Sequence, residues 1–309
     1  MITFDKLKIS SKIEYVTNIN LNEFEKDKKG NLMYKQKVPY LLTIKINYTM
    51  PEVFIEFTGK VLGKQYPQLI SLDTIRQCFE NINALGICTL DIDNLINDSV
   101  VCSCDVTTDV ECEDIKGMCS FIRNNISSYR LYIPRQHRNG NFTISKNVTS
   151  KTAMKKLTIY DKEAEINRAE NRTFRNMYGI DGKDFKGKCR FELSLDSQAQ
   201  IRESLDIADT HLLSVLQSSA HPISYFMDKV LANNNSISTT GIKDYMIKLV
   251  LEDCHYDIEE VEAKMRSLYL RGNNMSKILA PYRKALNEKA STINGSNMRD
   301  KIMGMIVSM

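Results

Sequence analysis

The chain is expected to be an α+β protein, an antiparallel-rich sheet layered by helices and followed by a small all-helical region. Three observations predict this. Short runs of alternating apolar and polar residues recur through the first two-thirds, separated by a few segments of helical spacing. Strand signals vanish from about Ser197 onward and helical spacing takes over. A length of 309 residues exceeds the usual size of one domain, and 42% hydrophobic residues suffice for a real core. The expected division is an α+β domain over 1–198 and a helical domain over 199–309.

The elements follow in order. Residues 41–48 and 53–58 read as strands, with Gly59 and Gly63 marking a turn behind them. Leu72, Ile75, Cys78, Phe79, Ile82 and Leu85 keep the spacing of a helix, with Ser71 as its cap and Gly86 at its end. Residues 89–93 and 101–110 read as two further strands. Ile115, Met118, Cys119, Ile122 and Ile126 space as the buried face of a second helix. Strands are expected over 129–133, over 141–145 and in a run ending at Tyr160. A charged helix from about Lys162 to Tyr178, a turn at Asp181 and Gly182, and a strand over 189–195 close the region. Beyond it, 197–231 is helical with a break before Pro222, and the polar run 233–240 reads as a linker. Asp257 and Glu260 form a capping box for a helix that buries Ile258, Val261, Met265 and Leu268 and ends at Gly272. Ile278, Tyr282 and Leu286 continue a further helix past Pro281. These last helices suit a helix-turn-helix DNA reader or plain helical packing.

Successive residues of a strand point to opposite faces. In 101–110 one face reads Cys102, Cys104, Val106, Thr108 and Val110, and the other Val101, Ser103, Asp105, Thr107 and Asp109. In 189–195, Cys189, Phe191, Leu193 and Leu195 oppose Arg190, Glu192 and Ser194. Leu157 and Ile159 oppose Thr158, Tyr160 and Lys162. If the three strands share a sheet, Asp105, Asp109, Glu192, Tyr160 and Lys162 meet on one surface. Taken singly, each strand also reads as an ordinary half-buried strand with its charges in water.

Composition bounds the rest. A formal net charge of +4 permits nucleic-acid binding at local patches without demanding it. The first residues hold no apolar stretch of signal-peptide length and no segment approaches a membrane span, so a cytoplasmic protein is expected. Its eight cysteines are then expected as reduced, packed thiols. Cys102, Cys104, Cys112 and Cys119 cluster in sequence, but without the spacing of a zinc knuckle.

Residues 54–59 (Phe-Ile-Glu-Phe-Thr-Gly), 104–109 (Cys-Asp-Val-Thr-Thr-Asp), 159–165 (Ile-Tyr-Asp-Lys-Glu-Ala-Glu) and 190–192 (Arg-Phe-Glu) follow one another in the motif order of rolling-circle replication initiators. Over roughly residues 40–195 the chain resembles the trans-acting Rep family of plasmids, with its filamentous-phage and relaxase relatives. The resemblance implies a Rep nuclease-like fold and an exposed Tyr160 as nucleophile, with Lys162 and Glu165 completing its motif. It implies Asp105 and Glu192 as residues of a Mg2+ or Mn2+ site, and Asp109 and Arg190 beside them. Cys104 departs from the pattern, standing where an apolar residue is usual. The implied activity is nicking of one origin strand, leaving a 5′-phosphotyrosine link and a free 3′-hydroxyl primer. The chemistry agrees, since a phenol with a pKa near 10 needs help to attack a phosphodiester at neutral pH, and a hard cation held by carboxylates polarises the phosphate.

The histidine-pair chemistry of other nicking enzymes is set aside, because His137, His211, His221 and His255 are all isolated in sequence. No phosphate-binding glycine loop is present, so a host helicase and polymerase are expected partners beside origin DNA, duplex and single-stranded; homodimerisation is possible. Arg135, His137 and Arg138 before the Asn139-Gly140 turn, then Lys146, Lys151, Lys155 and Lys156, suggest a DNA path into the tyrosine strand, or else a solvated basic hairpin. Duplex contacts are expected from Lys243, Lys248, Arg266, Arg271, Lys277, Arg283 and Lys284. Two alternatives stand beside replication: a mobilisation relaxase with the same chemistry, and a DNA-binding regulator without it.

Overall fold

The computed structural model describes residues 2–124, 126, 132–146, 155–231, 242–254, 257–268 and 274–307. The chain is α+β, and it divides into two units, Met1–Val230 with Met303–Met309, and Leu231–Ile302.

In chain order the strands of the first unit are β1 (Phe4–Lys12), β2 (Val16–Thr17), β3 (Glu25–Lys26), β4 (Leu32–Gln36), β5 (Leu42–Asn47), β6 (Glu52–Thr58), β7 (Thr89–Leu90), β8 (Val100–Glu111), β9 (Tyr132–Gln136), β10 (Phe142–Lys146), β11 (Lys156–Asp161) and β12 (Lys188–Leu195). Ten form one antiparallel sheet in the order β3-β4-β5-β6-β1-β8-β12-β11-β10-β9, while β2 and β7 pair separately. The helices are α1 (Ile75–Asn83), α2 (Ile92–Asp98), α3 (Ile115–Asn124), α4 (Lys162–Ile166), α5 (Arg172–Tyr178), α6 (Gln198–Leu205), α7 (Leu212–Leu216) and α8 (Pro222–Val230), and then α9 (Ile242–Asp253), α10 (Ile258–Leu268) and α11 (Met275–Val307). Among the described residues no helix is long and apolar enough to cross a membrane.

One face of the sheet is apolar and covered. Leu7, Ile9, Ile55, Phe57, Val106, Leu157, Ile159, Phe191 and Leu193 are buried on it, and the Phe79 ring of α1 meets Phe57 at 5.7 Å. The other face carries the polar side chains, and at one end of it the 3-10 segment Gly59–Gln68, α4 and α5 gather around Tyr66. Gly63 makes that gathering possible. Its φ is +60°, and a Cβ there would lie 2.7 Å from the Tyr178 ring, so a larger residue would push the segment off α5.

Several elements differ from the sequence expectation for identifiable reasons. The strand over 89–93 stops at Leu90 because the Asp91 carboxylate caps α2, accepting from the Asn94 N–H. The charged helix of 162–178 is two helices joined by a 3-10 turn, Ala169–Asn171. Helix α1 begins after Thr74, whose hydroxyl accepts from the Ser71 N–H instead of leaving Ser71 as the cap. Two β-bulges shift the alternation along the β1–β8 pair, one at Asp5 and one at Cys102. The second turns Val101, not Cys102, to the core beside Ile9. The turn at Gly59 and Gly63 is helical, and the linker 233–240 lies outside the described residues.

The first compact unit runs to Val230, past the expected boundary at 198. The Val101 N–H donates to the Thr210 carbonyl (2.8 Å), and the Leu212 N–H donates to the Ser99 carbonyl (2.9 Å), which ties α7 to the start of β8. Phe226 of α8 meets the Tyr132 ring edge-on at 5.1 Å. Leu205, Leu212, Val215, Leu216, Phe226, Met227 and Val230 are all buried. At about 1.5 to 3 kcal/mol per buried side chain, their loss matches the whole stability of a domain, about 5–15 kcal/mol. A fragment ending at Gln198 is therefore expected to show no cooperative thermal unfolding, whereas one ending at Val230 should. Cooperative melting of the shorter fragment would return the boundary to 198.

In the second unit, Leu251, Cys254, Val261, Met265 and Leu279 form a small core between α9, α10 and α11. The Asp257 carboxylate caps α10 through the Glu259 N–H (2.8 Å).

Candidate active site

The expected face assembles. Register places Tyr160 beside Arg190 and Arg190 beside Asp109 in one row. The next row holds Thr158, Glu192 and Thr107, and the next Lys156, Ser194 and Asp105. All are on the polar face, and Arg135 joins the middle row through Thr143 and Thr158.

Arg190 is the centre of the site and is fully buried. Its Nε and Nη2 donate to the two oxygens of Asp109 at 2.6 and 2.7 Å. Nη1 donates to Asp5 Oδ1 at 2.8 Å and to the Tyr66 hydroxyl at 3.2 Å. The Tyr66 hydroxyl also accepts from Lys162 Nζ (2.5 Å) and donates to Asp5 (3.4 Å). One phenol oxygen thus joins two buried cations to one carboxylate. Lys162 is buried as well and donates to Glu165 at 2.6 Å, and Asn171 Nδ2 donates to the same carboxylate at 3.0 Å. Burial works against the charged form of Glu165, yet Lys162 and Asn171 hold its pKa below the ordinary value.

Tyr160 donates a short hydrogen bond to Glu192 Oε1. It is only 7% exposed, so the expectation of an exposed tyrosine is corrected. Burial, then the Glu192 charge, raises its pKa well above the ordinary value. Lys162 Nζ lies 5.6 Å from the Tyr160 ring centroid. It reaches there from the first turn of α4 rather than by strand alternation, because β11 ends at Asp161, the cap of that helix.

Burial, and after it the Asp5 carboxylate, pushes Glu192 up to about 8. Burial also raises Asp105, with Asp5 adding to it and the Ser194 hydrogen bond opposing. A glutamate in an unfolded chain titrates near about 4.3. Between there and about pH 8 the folded chain holds a proton at Glu192 that the unfolded chain has lost, so stability falls as pH rises through that window. Glu192→Gln is expected to flatten the fall in thermal midpoint from about pH 5 to about pH 8. An unchanged slope would place the titration on another group.

Two residues of this network escaped the sequence reading. Asp5 sits at the β1 bulge, held by Thr107, whose hydroxyl accepts from the Asp5 N–H (3.1 Å) and donates to the Asp105 carbonyl (3.1 Å). Tyr66 belongs to the segment read as a turn.

The expected metal-site residues separate. Asp109 is committed to Arg190 in a two-pronged ion pair and is not free to ligate a cation. Glu192 and Asp105 remain, with Asp5 acting electrostatically on both. Among the described residues no three His, Cys, Asp or Glu side chains close on a common point. Two carboxylates still suit the donor chemistry of Mg2+ or Mn2+, which take oxygen ligands and are often held by one or two carboxylates plus substrate phosphates.

Of the expected DNA-contacting residues, Arg135, Arg138 and Lys156 are exposed. Lys155 points to the opposite side and donates to Glu203 of α6 at 2.7 Å, so it is an ion-pair partner of the helix layer rather than a phosphate ligand. Lys151 lies outside the described residues, as do Arg271 and the side chain of Lys248. In the second unit Arg266 pairs with Glu262.

Comparison with protein-family models, with curated proteins and with solved structures finds no match to this chain.

Proposed function

We propose that the protein is a rolling-circle replication initiator that nicks one strand of origin DNA through Tyr160 and remains joined to the 5′ end. The observation carrying this reading is the Tyr160–Glu192 hydrogen bond on a sheet face flanked by buried cations. A tyrosine needed only for packing requires neither a carboxylate to take its proton nor a lysine and an arginine around it.

In the proposed reaction Glu192 acts in its ionised form, populated as pH approaches about 8, and the Tyr160 oxygen attacks phosphorus as its proton passes to that carboxylate. The bond from phosphorus to the 3′-oxygen breaks, and that oxygen leaves as the primer hydroxyl after taking up a proton. Arg190 and Lys162 lower the cost of negative charge near the phenolate and the pentacoordinate phosphorus. Glu165 holds Lys162 in place, and Asp109 and Asp5 hold Arg190. Glu192 and Asp105 are the residues that would hold Mg2+ or Mn2+. When bound, the cation polarises the scissile phosphate.

The test is supercoiled DNA carrying the element's own origin, with and without divalent cation. Relaxation with protein bound covalently at a 5′ end supports the reading, and binding without any adduct sinks it in favour of a regulator. Cleavage confined to a transfer origin would make the same chemistry that of a relaxase. Asp105→Asn is expected to lower cleavage by about two orders of magnitude or more and to be partly rescued by raised manganese, because a carboxamide is a weaker ligand for a hard cation. Full activity of this variant after chelation would remove Asp105 from the metal site.

A further inference from the structure

The polar face of the sheet continues well beyond the tyrosine. Along the register from Ser194 and Asp105 the rows reach Lys6 on β1, then Lys8, and then Lys35 and Lys45 on β4 and β5. Phe54 of β6 stands between Ser10 and Lys45. Neighbouring strands are about 4.8 Å apart, so the four spacings from β12 to β5 give a surface about 19 Å wide. Lys35 and Lys45 are exposed, and Phe54 is half-buried on the side away from the core.

With Lys12 and Lys156, this part of the face bears six lysines. Against them stand Asp105, Glu52 and Glu56, which flank Phe54 along β6, and, at the far edge, Glu25. Glu56 binds Lys6 at 3.1 Å and approaches Lys8 at 4.0 Å. The Lys8 ammonium stands 6.0 Å from the centroid of the Phe54 ring. A half-exposed aromatic ring with ammonium groups beside it on the polar face of a sheet is a combination that holds unpaired bases by stacking and their phosphates by charge. A duplex keeps its bases stacked on one another and cannot offer one to Phe54.

We propose that this half of the face carries the single-stranded DNA that runs from the cleavage site, with a base on Phe54 and phosphates on Lys8 and Lys45. The proposal rests on the nicking reading of Tyr160 and extends it to the strand's course. Glu56 then acts as a brake, neutralising Lys6 and Lys8 until phosphates replace it.

The experiment measures fluorescence anisotropy of a labelled oligothymidylate in the full chain carrying Tyr160→Phe, across a range of salt. Phe54→Ala is expected to weaken binding about tenfold. Lys8→Ala with Lys45→Ala should weaken it and make the log-log salt slope shallower by about 1.4, since each phosphate contact to a single strand contributes about 0.7. Glu56→Gln should tighten binding, a gain that misfolding cannot mimic. Unchanged affinity in Phe54→Ala and an unchanged slope in the lysine variant would overturn the track. So would equal Phe54 dependence for a duplex, or tighter binding of oligouridylate. The two readings fail separately. An adduct at Tyr160 with binding indifferent to Phe54 removes the track alone, while Phe54-dependent binding with no adduct in the unsubstituted chain removes the nicking reading alone.

Discussion

Tyr160→Phe is expected to abolish covalent capture of single-stranded origin DNA while leaving non-covalent binding within about twofold, because DNA affinity comes mainly from phosphate contacts that the phenol does not make. The substitution removes one oxygen and keeps the ring. It also takes the hydrogen-bond donor from Glu192. A buried acceptor left without a partner costs about 1–3 kcal/mol, and Glu192 can meet much of that by holding a proton, since burial already pushes it up to about 8. Denaturing gels of protein mixed with end-labelled oligonucleotide read the adduct, and thermal melting reads the stability. A persistent adduct would move the nucleophile elsewhere. Tyr178 is the first place to look, partly buried against the Tyr66 cluster, whereas Tyr66 itself is fully buried.

The largest effect on stability is expected from Arg190→Met. The guanidinium is fully buried and satisfies Asp109 twice, Asp5 once and the Tyr66 hydroxyl once. Methionine fills similar volume and leaves two carboxylates without their cation. Removing one partner of a buried ion pair typically costs about 3–5 kcal/mol, whereas replacing the whole pair by apolar groups is often neutral. Urea unfolding should therefore show a loss of about that size for Arg190→Met and a partial recovery when Asp109→Leu is added. A loss below about 1 kcal/mol would mean that water reaches the pair and screens it.

Much of this surface was legible in the sequence because β8, β11 and β12 keep the period of two through the stretch that matters. Asp105, Asp109, Arg190, Glu192 and Tyr160 share a face for that reason. Alternation assigns a face but not a partner. Two carboxylates four residues apart on one strand look alike, and it takes the position of Arg190 to commit Asp109 to an ion pair and leave Asp105 outside it. Asp5 was hidden by the bulge. Phe4, Leu7 and Ile9 are all buried, but the extra residue between Phe4 and Leu7 breaks the rhythm by which a strand is recognised. Tyr66 was hidden because glycines at 59 and 63 read as a turn, although between and beyond them the chain coils into a 3-10 segment that carries the tyrosine under the sheet. The helices over 198–230 show the same limit at larger scale. Their apolar spacing says that they are helices, but only the bonds from Val101 and Ser99 say which layer they cover.

The position of β1 has a consequence for how the molecule comes into being. Made before the other strands of its sheet, β1 ends in the middle of it, with β6 on one side and β8 on the other, and it is the seam between the β3–β6 half and the β8–β12 half. Arg190 finds Asp5 across a sequence separation of 185 residues. During synthesis the β6 side of the seam can pair early, but the β8 side must wait, and the acid that steadies Arg190 waits with it. Contacts this distant in sequence are slow to form because the intervening loop must close before they yield anything. The surroundings of Tyr160 are therefore among the last parts of the protein to mature, and a nascent or half-zipped chain carries the tyrosine without the Asp5–Arg190 pair that lies beside it in the folded protein.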